Sequence, residues 1–138
     1  MKKLILMVLA STFFLASGMV HARTEALVNY ENVQVSSASG KPLTADDMKA
    51  IFQRVATRSG WEIKELSNGK LAASLALGRG KHVMVIEISY TGNSYSITYR
   101  DSYNLNYSHD AGRPIIHPNY NKSVAKLIEM VRLEAQMY

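Results

Sequence analysis

Apolar positions recur along this chain with two different periods, and the change of period divides it into elements. Met48, Ile51, Phe52 and Val55 fall at i, i+3, i+4 and i+7, the single apolar stripe of an α-helix. Thr44 precedes Asp47 by three residues, a capping-box spacing with Asp in the usual Glu or Gln role, and Gly60 supplies a stop. A helix is therefore expected from Ala45 to Ser59. After Pro118 the helical period returns at Tyr120, Val124, Leu127, Ile128, Val131 and Ala135, with Lys122, Lys126, Glu129 and Arg132 mostly on the other side. This predicts a second helix that runs almost to the last residue.

Between the helices the period is two. Gly92-Asn93 reads as a two-residue hairpin turn, which sets Tyr90 against Tyr95, Ile88 against Ile97 and Ile86 against Tyr99. Glu87, Thr98, Ser89 and Ser96 then share the other face. Taking Arg79-Gly80 as the preceding turn opposes Leu75 to Met84, Ala73 to Ile86 and Leu71 to Ile88, apolar with apolar throughout. For Trp61 to Leu66, a two-residue Asn68-Gly69 turn would pair Ile63 with Ser74 and put the faces out of step. A three-residue Ser67-Asn68-Gly69 loop, with Gly69 as the left-handed residue of a bulge, sets Ile63 against Ala73 and Trp61 against Leu75. The longer loop is the consistent one.

These elements predict an α+β fold. A four-stranded antiparallel meander would bury one face under an N-terminal and a C-terminal helix, in the order α-β-β-β-β-α, as a single two-layer domain over residues 44–138. Leu75, Ile86, Ile88 and Ile97 should meet Phe52, Val55, Leu127 and Val131 in its core. Residues 23–43 read as a flexible lead-in, with room for a short edge strand at Val33-Gln34-Val35 before the Ser-rich stretch Ser36 to Pro42.

The first 22 residues have a different character. Met1-Lys2-Lys3 is basic, Leu4 to Ala16 is apolar, and Val20-His21-Ala22 places apolar or small residues where a signal peptidase cuts. The apolar run is shorter than the roughly 20 residues that span a bilayer, and Ser17-Gly18 closes it. Cleavage after Ala22 and a periplasmic or secreted product are expected. No cysteine occurs in the 138 residues, which excludes disulfides, Cys-ligated metal, a cysteine nucleophile and lipid attachment through cysteine, so no stable membrane anchor is expected after cleavage. Without residues 1–22 the net charge falls from +5 to +3, and no two Lys or Arg remain adjacent. Nucleic-acid binding, which needs clustered cations, is disfavoured.

Candidate chemistry concentrates in Tyr99 to Asn121, which holds two of the chain's four His, four Asn and four Tyr. Alternation from Tyr95 carried through Tyr99, Asp101 and Tyr103 puts Asp101 on the apolar face, where a carboxylate needs donors such as Ser102 or a Tyr hydroxyl. Asp101 is read as a structural polar residue in preference to a general base or ligand anchor, and Asn119 and Asn121 are further candidates for a structural polar role. Ser102 lacks a G-x-S-x-G elbow, and adjacent strand residues point apart, so a Ser/His/Asp triad with Asp101 and His117 is disfavoured. His109, Asp110 and His117 could ligate a metal, but they fall in an expected loop with Gly112 and Pro114 rather than at fixed spacing on a rigid element. His117 reads as a residue at the start of the second helix, and His82 as a half-exposed strand residue. Seven of the eight tyrosines lie from Tyr90 onward, and tyrosine suits recognition surfaces because it joins a flat apolar body to a polar tip. Tyr90, Tyr95 and Tyr99 are assigned to the core roof. Tyr103, Tyr107, His109, Arg113 and His117 are the candidate binding residues.

Trp61 after Gly60, the run Y-x-I-x-Y-x-D-S-x-N-L-x-Y from Tyr95 to Tyr107, and I-H-x-N-Y-N from Ile116 to Asn121 resemble a family of small exported proteobacterial proteins, many known only as lipoproteins. The resemblance covers about Pro42 to Leu133. It implies a Gram-negative envelope location, no assigned activity and no catalytic residues to carry over; the acylated Cys of the lipoproteins is missing. The sequence reading favours a non-enzymatic envelope binding or accessory module, without cofactor, for a protein, peptide or glycan partner. The alternative is a small periplasmic hydrolase or metal-dependent enzyme using Asp101, His109 and His117.

Overall fold

The computed structural model describes residues 23–138. The expected signal peptide, residues 1–22, lies outside them. In chain order the elements are β1 (Glu25–Ala26), β2 (Tyr30–Gln34), α1 (Ala45–Ser59), β3 (Glu62–Glu65), β4 (Leu71–Leu77), β5 (His82–Tyr90), β6 (Ser94–Tyr103), β7 (Ser108–Asp110), β8 (Arg113–Ile116) and α2 (Pro118–Ala135). They form an α+β fold with two antiparallel sheets, of order β2-β6-β5-β4-β3 and β1-β8-β7.

Helix α1 begins where its sequence dictates. The Thr44 hydroxyl accepts from the Asp47 amide at 3.0 Å, the Asp47 carboxylate accepts from the Thr44 amide at 2.9 Å, and the chain leaves the helix at Gly60. Its stripe of Met48, Ile51, Phe52 and Val55 is fully buried. The meander has the expected registers: Tyr90 opposes Tyr95, Ile88 opposes Ile97 and Leu71, and Ile86 opposes Tyr99 and Ala73. Ile63 opposes Ala73, and the Leu66 amide donates to the Lys70 carbonyl at 2.8 Å around a three-residue loop with Gly69 at φ 79°. One buried cluster joins α1, the inner face of β4, β5 and β6, and the Val124, Leu127 and Val131 stripe of α2. Across the top of this layer, Arg54 and Arg58 of α1 both reach the buried Glu134 carboxylate of α2, and Arg54 also donates to the Tyr138 hydroxyl at 2.7 Å.

Three expectations are corrected. The four-stranded meander is part of a five-stranded sheet, because β2 pairs with β6 at its outer edge. Residues 23–43, expected as a flexible lead-in with room for an edge strand at Val33-Gln34-Val35, carry two strands: β2, over Tyr30–Gln34, pairs with β6 at the sheet edge, and β1 pairs with β8. The stretch expected to be a loop around His109 and Gly112 is a hairpin of β7 and β8, closed by Ala111 at φ 49° and Gly112 at φ 78°, two successive left-handed residues as in a type I′ turn.

The outer face of the main sheet carries Glu87 between Lys70 at 3.1 Å and Arg100 at 3.0 Å. Lys70, then Arg100, holds the Glu87 carboxyl below its ordinary value against the opposing effect of burial. A depressed carboxylate contributes stability at neutral pH that is lost as the pH falls through its folded-state value. Lys70→Gln should therefore be slightly less stable than wild type at pH 7, with the gap closing below about pH 4. Urea titrations at several pH values measure it; a gap that widens on acidification would contradict the assignment.

Candidate functional site

The end of β6 and the hairpin beyond it bring two of the candidate residues, Tyr107 and His109, together with Tyr99. Their placement depends on a β-bulge. Ile86 opposes Tyr99, but the preceding Val85 opposes Asp101, so Arg100 is an extra residue in β6. From that point the alternation is shifted by one. Ser102 rather than Asp101 falls opposite the buried Met84, and Ser102 and Tyr99 share the inner face, with their hydroxyls 2.8 Å apart. Asp101 is exposed on the outer face, contrary to the simple alternation, and its carboxylate accepts from the Ser102 amide at 2.8 Å.

Strand β2 pairs with β6 only from Ser94 to Ile97, so beyond Ile97 the edge of β6 has no strand neighbour from β2. Two amides along this stretch are occupied by side chains instead: Asn29 accepts from the Tyr99 amide at 3.0 Å, and Asp101 accepts from that of Ser102. Asparagines in left-handed conformation, Asn104 at φ 57° and Asn106 at φ 54°, then flank Leu105, which is buried. Asn is among the few side chains that adopt this backbone at low cost. The Asn104 amide donates to the Lys81 carbonyl at 3.0 Å, and the Asn104 carbonyl meets His82 Nδ1 at 2.8 Å.

This path folds Tyr107 back onto Tyr99. Their rings stack with centroids 4.1 Å apart and planes 14° from parallel, and His109 meets Tyr107 edge-on at 5.5 Å. Tyr120 of α2 lies beneath, 5.8 Å from Tyr99. Burial pushes the phenols of Tyr99 and Tyr120 above their ordinary value, so both stay protonated at physiological pH. Tyr99, assigned to the core roof from the sequence, thus bridges core and surface; its partner is a residue eight positions away, which strand periodicity does not indicate. The two rings form one wall of a shallow concavity of about 530 Å³, whose other lining includes Arg100, Asp101, Ser102, Asn104 and Asn106.

The I-H-x-N-Y-N string is a structural junction. Ile116 and Tyr120 are buried, and His117 Nδ1 accepts from the Asn119 amide at 3.1 Å to cap α2, with Pro118 at its first turn. Asn121 accepts from the Val28 amide at 3.0 Å and donates to the Ala26 carbonyl at 2.8 Å and to Glu25 at 3.0 Å, tying β1 to α2. The Asn119 side chain is exposed.

The remaining candidates scatter. Tyr103 opposes Val83 on the outer face and is 67% exposed; Arg113 is exposed at the hairpin tip opposite Asp110. No hydrogen bond or ion pair joins Asp101, His109 and His117, and among the described residues no three His, Asp or Glu side chains are grouped to hold a metal. Neither is any helix among them long and apolar enough to cross a membrane. No family model, curated protein or solved structure matches this chain. Among the described residues the exposed large apolar side chains are Val28 before β2, Tyr103 at the end of β6, Tyr107 here, Leu133 on α2 and Met137 just beyond it, the last two beside Met130 and Arg58.

Proposed function

We propose that this is an exported envelope protein, released after Ala22, that acts as a non-enzymatic binding or accessory module through the Tyr99–Tyr107 surface. The observation that carries the reading is the stacked ring pair with His109 at its edge, held on a bulged strand and a hairpin. A ring locked by stacking loses little side-chain entropy on contact, which is how a small aromatic surface gains affinity. The hydrolase or metal-enzyme alternative needs Asp101, His109 and His117 to converge, and each is engaged separately.

Export is checked by intact mass. The protein recovered from the periplasm or medium should begin at Arg23, and a species that retains Met1 to Ala22 would contradict release. Binding is checked by sedimenting residues 23–138 with isolated Gram-negative envelope fragments. Tyr107→Ala with His109→Ala should lower retention about tenfold, the effect of one aromatic contact of about 1.4 kcal/mol. Leu133→Ala with Met137→Ala should leave it unchanged. Loss of retention in the second pair but not the first would move the binding surface to α2.

A further inference from the structure

Resting on that reading, we infer that the ligand of the Tyr99–Tyr107 concavity is a carbohydrate, an uncharged pyranose unit of a glycan chain. Three features of the site select this chemistry over a peptide or an anion. The first is shape: an open concavity of about 530 Å³ with a rigid ring wall, Tyr107 being 39% exposed and fixed against Tyr99. The C–H face of a pyranose lies flat on such a ring, as apolar ligand faces do on tyrosine.

The second is the polar complement. The concavity is also lined by Asn104 and Asn106, by Ser102, whose hydroxyl is bonded to that of Tyr99, and by Asp101 from the outer face, a mixture of donors and acceptors suited to ring hydroxyls. Asn104 is oriented by its bond to the Lys81 carbonyl, and one Asp101 oxygen is held by the Ser102 amide, so the groups left over point from fixed positions. The charges nearly cancel: Arg100 is paired with Glu87 and adjoins Asp101, which leaves no excess cation for a phosphate or carboxylate ligand.

The third is the strand edge. A peptide added to β6 beyond Ile97 would need its backbone amides, but Asn29 and Asp101 already occupy those of Tyr99 and Ser102. A ligand that binds through side chains and a ring face does not compete with them.

The test is titration of ¹⁵N-labelled residues 23–138 with tetramers of N-acetylglucosamine and of glucose, and with a poly-glutamate peptide as the charged control. Saturable amide shifts confined to Asp101–Tyr107 are expected with at least one tetramer and not with the peptide. Asn106→Gly preserves the left-handed backbone while deleting the amide, and Tyr107→Ala deletes the ring; each should weaken binding about tenfold, while Leu133→Ala should not. The response to the two sugars distinguishes an N-acetylated from a plain pyranose. No saturable shift with either tetramer up to about 10 mM, or binding that survives both site variants, would overturn the carbohydrate assignment. If envelope retention still depends on Tyr107 and His109 in that case, the surface is right and the ligand class is wrong; if retention is also independent of them, both fall.

Discussion

Gly92→Ala is expected to destabilise the protein by about 3 kcal/mol or more, at the upper end of what overpacking costs. A Cβ at Gly92 would lie 2.0 Å from the Leu43 carbonyl oxygen and 2.9 Å from its carbon, far inside van der Waals contact with main chain that cannot rotate away. Leu43 immediately precedes the Thr44 cap of α1, so the β5–β6 turn is wedged under the start of the helix. Relief of the clash must either lift the hairpin from the helix or disturb the capping box, in which Thr44 and Asp47 exchange two hydrogen bonds. Chemical denaturation measures the loss. A change below about 1 kcal/mol would mean that the turn and Leu43 are not in this contact.

Ile88→Ala should cost about 3 kcal/mol, within the range for truncating a fully buried aliphatic side chain. Ile88 has no exposed surface and stands between Leu71 and Ile97 in the centre of the sheet. Ser89→Ala, one residue on and facing outward opposite Ser96, should change stability by less than about 0.5 kcal/mol. The contrast tests register: a one-residue slip moves every side chain of β5 to the opposite face and would exchange the two results.

The part of the fold legible in the sequence was the part with explicit turn chemistry. Gly92-Asn93, Arg79-Gly80 and Ser67-Asn68-Gly69 each fix a register, and the apolar pairs across them then agree. Elements without such signals were missed. The β7–β8 turn uses Ala111 as a left-handed residue where Asn or Gly would have announced it, and Pro114 argues against a strand although it sits in a short, three-stranded sheet. Strand β2 contains Asn32 at φ 52° beside an irregular register, which breaks its alternation.

The candidate site was legible in composition and misread in direction. Tyr107 and His109 are candidate binding residues by residue type alone, and their packing onto Tyr99 depends on the bulge at Arg100 and on the turns at Asn104 and Asn106. No glycine or proline announces that bulge, so period-two reasoning carried Asp101 to the wrong face. His117 and Asn121 stood out as polar residues in a distinctive string, and each has local structural work: one caps α2 and the other ties it to β1.

The central claim is that the Tyr99–Tyr107 surface, rather than the α1–α2 surface, is where this protein meets the envelope. Amide-shift mapping of ¹⁵N-labelled residues 23–138 against solubilised envelope material tests it most directly. Shifts that cluster from Tyr99 to His109, with Met130 to Met137 unmoved, are the predicted result; shifts confined to Met130–Met137 and the outer side of α1, or none at all, would contradict it.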